Sequence, residues 1–507
     1  MAICSLKQVL TISTVFALIV AVSNGRSVKP SFKIKAVSLG GWLVTEGWIK
    51  PSLFDGIPNK EFLDGTVLQF KSVTVGKYLG AKSGGGTIMV ADQASASDRE
   101  TFKLWRINAT NFNLRVFNKQ FMGLDKNGNG TNVVAVSNKP GRLETFKIVR
   151  YHKDATRVRI KASSGFFLQV KTEKLVTADY GCESTWRDDD PSVFIMTVVG
   201  SMHGEFQVTN GYGPELAPKV MREHWNTFIT EDDFKFIYQN GLNAVRVPVG
   251  WWIASDLTPP KPYVGGSLQA LDNAFSWAAK YGLKVILDLH AAPGSQNGWE
   301  HSSSRDGSQE WGLTEENIQQ TVGVIDFLAS RYSKSPSLYA IELMNEPLAP
   351  RATLDSVTKY YMAGYNAVRK HSSATYVIIS SRLKLGESDQ PRELFPLANG
   401  LTRIVIDVHY YSRFPNMTVQ QNIDFIKTNR SAELNHATTS DGPLTFVGEW
   451  VGEWGISNAT KEDYQRFCKA QLKVYGRASF GWAYWTLKNV NNHWSLEWMI
   501  NNGYIKL

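Results

Sequence analysis

Beyond residue 200 the chain alternates between short apolar runs and longer stretches whose apolar residues recur every three or four positions. The short runs, at 243–249, 284–290, 338–346, 376–380, 403–409, 444–449 and 479–485, are rich in Val, Ile, Leu and aromatic residues and predict buried strands. The stretches 229–241, 268–281, 314–332, 354–371 and 461–475 carry the helical period. The first of these opens on Thr230 with acids behind it and closes on Gly241, as a capped helix does. With a further strand at 34–39 the pattern is eight strands alternating with helices, which predicts a (β/α)8 TIM barrel of roughly 340 residues.

Residues 64–200 read differently, as short strands between Gly- and Asn-rich turns with no helical period. The pairs Tyr78-Leu79, Phe121-Met122 and Phe167-Leu168 recur at spacings of 43 and 46 residues, and Phe102, Phe146 and Phe194 at 44 and 48. A unit of that length is too small to bury its own apolar face, so three copies predict a closed threefold β-barrel. The expected organisation is a barrel domain of residues 26–63 and 201–507, with an all-β domain of residues 64–200 inserted after the first barrel strand.

Residues 1–25 hold one charge, Lys7, an apolar run and a small-residue exit at Ser23 and Gly25, which predicts a cleaved secretory signal peptide. No other stretch approaches membrane-spanning length, so the mature chain is expected to be exported without a membrane partner. Sequons at Asn108, Asn129, Asn416, Asn429 and Asn458 fit an exported glycoprotein. Cys4 leaves with the signal, and Cys182 and Cys468 remain as a possible disulfide that spacing does not decide. The formal charge of +9 lacks a basic cluster interleaved with aromatics, which argues for acidic wall polymers over nucleic acid as a partner. An aromatic share of 12% suits sugar stacking and core packing equally well.

Catalysis in such a barrel sits at the carboxyl ends of the strands. Those ends carry Arg246, His290, Asn345-Glu346, His409, Tyr411, Glu449 and Trp485. Two carboxylates across a barrel mouth can serve a retaining glycosidase, one donating a proton to the leaving oxygen and the other attacking the anomeric carbon. Glu346 suits the acid/base role and Glu449 the nucleophile, with Arg246 holding Glu449 ionised. Asn345 is placed for the sugar 2-OH, Tyr411 for orienting the nucleophile and Trp485 for flooring the subsite. Glu453, in the second GEW of GEWVGEW, is the competing nucleophile. The chain shows no metal-ligand cluster, and hydrolysis by this route needs no cofactor.

The segments SLGGWLVTEGWIKPSLF, HWNTFITEDDF, GLNAVRVPVGWW, LDLHAAPGSQNG, LMNEP, DVHYY, FVGEW and YWTLK together resemble glycoside hydrolase family 5, and its exo-β-1,3-glucanase branch most. The threefold insert resembles a fascin-like β-trefoil, a combination similar to plant members of the family. The resemblance implies a β-glucosidase or exo-β-glucanase exported to the cell wall or apoplast, with Glu346 as acid/base and Glu449 as nucleophile. It places Arg246, His290, Asn345, His409, Tyr411 and Trp485 around the glycosyl subsite, and adds Glu46, with Asn297, as readers of sugar hydroxyls. An endo-acting family 5 glucanase or mannanase, and a glycan-binding protein with an inactive barrel, stand as the other readings. The trefoil is open to a scaffold role or to glycan binding.

Overall fold

The computed structural model describes residues 32–126, 130–181, 185–386 and 390–507. The expected signal peptide, the Asn129 sequon and Cys182 lie outside these residues; Cys468 is buried in the barrel's helical layer. The other four sequon asparagines are exposed. None of the described helices is long and apolar enough to cross a membrane.

Eight parallel strands close into a barrel in chain order: Ile34–Ser38, Ala244–Gly250, Lys284–Ala291, Leu338–Glu342, Tyr376–Ser380, Ile404–Tyr410, Leu444–Trp450 and Gly481–Tyr484. The ring closes where Ile34 pairs with Gly481 and Ser38 with Arg246. Period-two alternation sorts each strand between two environments. In the third strand Val285, Leu287 and Leu289 face the helices while Ile286 faces inward; in the sixth, Ile404, Ile406 and Val408 face out and Val405 in. The lower interior is filled by apolar residues such as Ile34, Ile286, Ile378 and Phe446. One or two pleats higher the same inward face carries Arg246, Asp288, Glu342 and Asp407, all fully buried. The barrel thus changes from a dry plug to a polar floor within one strand length.

Four helices were legible in full: Ser267–Tyr281, Glu315–Tyr332, Leu354–His371 and Lys461–Tyr475 match their expected spans to within a residue. Thr230 caps Glu231–Gln239 through a reciprocal pair with Asp233, whose carboxylate accepts from the Thr230 N–H at 2.8 Å. The fourth strand is shorter than expected. It ends at Glu342, and 343–346 cross the barrel mouth irregularly, with Glu346 at φ 47° instead of extended before Pro347. Pro347 alone was a poor guide, because tertiary contacts hold Glu346 in a left-handed conformation that local preference disfavours. A helical segment at Glu205–Thr227 was not expected; Gly213 breaks it at φ 75° and Pro214 opens its second half, where a missing N–H costs nothing.

Residues between the first and second barrel strands build an all-β domain of antiparallel strands. Strands beginning at Val67, Phe102, Phe112, Phe146, Asp154 and Phe194 pair in a closed ring, and hairpins beginning at Tyr78, Phe121 and Phe167 extend from it. The repeated sequence markers therefore open equivalent strands. Both ends of the insert are pinned beside the barrel mouth: the Gly47 N–H donates to the His203 carbonyl at 2.7 Å, and Asp64 accepts from Asn210 at 2.6 Å and Arg305 at 2.7 Å.

Candidate active site

The residues at the strand ends converge on a cavity of about 680 Å³. At its floor the Arg246 guanidinium, with no exposure, is the hub. It donates to Glu342 at 2.7 and 3.0 Å, to Glu449 at 2.8 Å and to the Asn345 side-chain oxygen at 2.8 Å, and lies 3.1 Å from Asp288. Burial opposes the Arg246 charge, but Asp288, Glu342 and Glu449 outweigh it and hold the group firmly protonated. Burial, seconded by Asp288 and Asp407, pushes the Glu342 carboxyl well above its ordinary value against the pull of Arg246.

Glu449 closes the seventh strand with both oxygens engaged, one by Arg246 and the other by the Tyr411 hydroxyl at 2.5 Å. Gly448 makes this possible next door. Its N–H donates to Asp407 at 2.7 Å, and a Cβ there would lie 2.3 Å from the same carboxylate oxygen. Asp407 in turn accepts from His409 Nε2 at 2.9 Å, so the ring directs Nδ1 at Glu346, 2.7 Å away, with Glu449 at 3.5 Å. Burial lowers the His409 pKa, yet Glu449, Asp407 and Glu346 together raise it well above the usual imidazole range. Single oxygens of Glu346 and Glu449 lie within 4.8 Å of each other, with His409 between them.

Glu346 has a second imidazole partner that sequence reasoning missed. His301, on the loop after the third strand, sits 3.3 Å from Glu346, and the Asn297 side-chain amide holds the same ring nitrogen at 2.9 Å. Burial lowers the His301 pKa, but Glu346, Glu46 and Glu449 raise it to about 9. Burial likewise pushes Glu346 up, and the hydrogen bonds from His301 and His409 outweigh it, holding the carboxyl well below its ordinary value. These opposed shifts favour the protons on the imidazoles beside Glu346.

Glu46, on the loop after the first strand, accepts from Trp48 Nε1 at 3.0 Å, while its other oxygen is buried without a hydrogen-bond partner. Burial raises its pKa to about 8, so at neutral pH it carries a proton it can donate. The Asn345 side-chain nitrogen is a second buried orphan. The Glu46 oxygen belongs to the cavity lining, and an unsatisfied polar atom there marks a position where a ligand hydroxyl completes the bonding. His290 stacks on Trp485 at 5.3 Å with planes 5° apart and is fixed by Asp288 at 2.6 Å.

Of the residues singled out from sequence, Glu46, His290, Glu346, His409, Tyr411, Glu449 and Trp485 line the cavity, Arg246 and Asn345 are fully buried behind that lining, and Asn297 and Glu453 stand apart. The Asn297 amide lies 2.9 Å from the His301 ring nitrogen, donates to the Glu346 carbonyl and accepts from the Trp299 N–H, so its polar atoms are committed inside the protein and it positions His301. Glu453 is engaged by His493 at 2.9 Å and the Gly455 N–H at 2.5 Å, outside the main cavity. The buried layer of Asp288, Glu342 and Asp407 was also missed. Its signal lay in the DLH and DVH tripeptides, where an acid two residues before a site histidine shares its face.

Residues 209–491 match the family model described as cellulase (glycosyl hydrolase family 5), and residues 59–199 match a domain of unknown function, DUF7910. A glucan 1,3-beta-glucosidase of Yarrowia lipolytica is 32% identical over 339 residues, covering 59% of this chain and 79% of its own length. A probable glucan 1,3-beta-glucosidase A of Aspergillus fumigatus is 34% identical over 343 residues, with the same coverage. The rutinosidase structure from Aspergillus niger shares the fold at a TM-score of 0.51 and 22% identity, over 59% of this chain and 88% of that one.

Proposed function

The chain belongs to glycosyl hydrolase family 5 and is a glycoside hydrolase, and from that premise we propose that it is a retaining β-glucosidase of exo-glucanase type. The observation that carries this reading is that single oxygens of Glu346 and Glu449 lie within 4.8 Å of each other, with His409 Nδ1 at 2.7 Å from one carboxylate and 3.5 Å from the other. Retaining pairs stand about 5 to 5.5 Å apart and inverting pairs about 6.5 to 9.5 Å, because an inverting enzyme must fit a water between them.

Glu449, ionised and aimed by Arg246 and Tyr411, attacks the anomeric carbon. The bond from that carbon to the leaving oxygen breaks as Glu346 delivers a proton to it. The proton reaches Glu346 from His301 or His409, whose hydrogen bonds to the carboxylate give it a path of one step. Water then attacks the glycosyl-enzyme, losing its proton to Glu346, and Glu449 leaves. Asn345 and protonated Glu46 take sugar hydroxyls, and Trp485 forms the floor. In this scheme His301→Gln lowers kcat/KM at neutral pH by about ten- to a hundredfold, the worth of one hydrogen bond to a charged group. The wild-type profile falls as pH rises through about 9, where the His301 imidazolium loses its proton, and the variant loses that limb. An unchanged alkaline limb in the variant counts against His301 as the proton source.

The relatives' glucan 1,3-beta-glucosidase names support β-1,3-linked gluco-oligosaccharides and aryl β-glucosides as substrates. Digestion of β-1,3 and β-1,4 glucan oligomer ladders tests this: glucose released singly from the β-1,3 series supports exo action, while mid-chain products, or preference for mannan, assign an endo enzyme. The leader-like residues 1–25 and the exposed sequons support export to the cell wall. The ring of six strands with three hairpins supports a fascin-like β-trefoil at 64–200 as the inserted domain, in a scaffold or glycan-binding role.

A further inference from the structure

A second cavity, of about 540 Å³, lies where the inserted all-β domain meets the barrel. One wall comes from the strand Phe102–Arg106 and residues 115–119; the other comes from the loops after the third and fourth barrel strands. Lys103, Arg115, Lys119 and Arg351 line it, against one acid, Asp98. Two of the four cations are neutralised, Arg115 by Asp306 at 2.7 Å and Lys119 by Glu310 at 3.2 Å. Among the described residues neither Lys103 nor Arg351 has a carboxylate within ion-pair distance, and Asp98, which is exposed, has no cation that close. Lys103 is half-buried, with Arg115, Lys119 and Arg351 close enough to act on its charge and Asp306 opposing them. An ammonium held among cations and partly out of water costs free energy, and an anion beside it reverses that cost.

The remaining lining favours a sugar over a bare ion. The Phe117 ring is 55% exposed at the cavity, a face on which a pyranose can stack, and Ser308 brings a hydroxyl. Asn297 forms part of this wall while its amide holds His301, which lines the catalytic cavity, so a single layer of side chains separates the two. We propose that the junction cavity binds a carboxylate-bearing saccharide, such as a uronate unit, with Lys103 and Arg351 on the carboxylate and Phe117 beneath the ring. An acidic glycan held there lies alongside the catalytic mouth, which gives the inserted domain a part in choosing the polymer.

Calorimetric titration of the whole protein with trigalacturonate, a neutral trisaccharide and inorganic phosphate tests this, because it reads binding without hydrolysis. Trigalacturonate is expected to bind at least about tenfold more tightly than the other two and to weaken with salt. The double variant Lys103→Gln/Arg351→Gln loses at least about tenfold of that affinity while hydrolysing an aryl β-glucoside at the wild-type rate. Lys103→Arg, which keeps the charge, retains binding. Absence of uronate binding, affinity that survives the double substitution, or phosphate or the neutral sugar binding equally well overturns the proposal.

Discussion

Glu449→Gln lowers kcat on an aryl β-glucoside by about 10⁴-fold or more, whereas Glu453→Gln keeps at least about half of the wild-type rate. The amide is nearly the shape of the carboxylate and still accepts from Arg246 or Tyr411, so the variant folds, but it has no anion with which to form the glycosyl-enzyme. Arg246 keeps Asp288 as its counter-charge and Glu342 as a hydrogen-bond acceptor, which confines the loss to chemistry. Glu453 repeats the local sequence of Glu449 yet faces His493 and the Gly455 backbone, away from Glu346. Steady-state kinetics with circular dichroism on both variants checks the pair. Full activity in Glu449→Gln together with loss in Glu453→Gln reverses the assignment.

Arg246→Ala costs about 3–5 kcal/mol of stability, the usual consequence of stripping a buried carboxylate of its partner, and lowers kcat/KM by about a hundredfold or more. Three buried carboxyl groups contact this guanidinium, and the change leaves them facing one another without it. The loss depends on pH with a definite sign. Burial pushes the Asp288 carboxyl up, and Arg246 followed by His290 holds it below its ordinary value. A depressed carboxylate contributes stability above its unfolded pKa and loses it as pH falls through the folded value, so that contribution is present at neutral pH and vanishes in acid. The variant forfeits it, and its deficit is therefore largest near neutral pH and shrinks on acidification, where the buried acids are protonated and need no cation. Urea denaturation at several pH values reads this out; a deficit that does not change with pH contradicts the electrostatic account.

The barrel was legible because each strand is buried on both faces and so reads as a continuous apolar run, bounded by helices with clear caps. The convergence of Glu346 and Glu449 on one cavity was legible for a related reason: a charged residue closing such a run has few structural uses. What escaped depended on tertiary context. Asp288, Glu342 and Asp407 sit within apolar runs and gain meaning only when closure brings Arg246 and His409 against them. His301 lies on an irregular loop with no periodicity to place it, and only the folded loop turns it onto Glu346. The break at Gly213 and Pro214 hid a helix, since the same residues that interrupt one helix begin the next. The Leu338 strand stopped four residues early because the left-handed turn at Glu346 is imposed by its surroundings.

The central claim is that Glu346 and Glu449 act by double displacement, and the anomer formed first tests it most directly. Proton NMR during the first minutes of hydrolysis of a β-glucoside follows both anomeric signals before mutarotation mixes them. The close carboxylate pair predicts β-glucose appearing first, with the α signal growing only at the mutarotation rate. Initial appearance of α-glucose contradicts it.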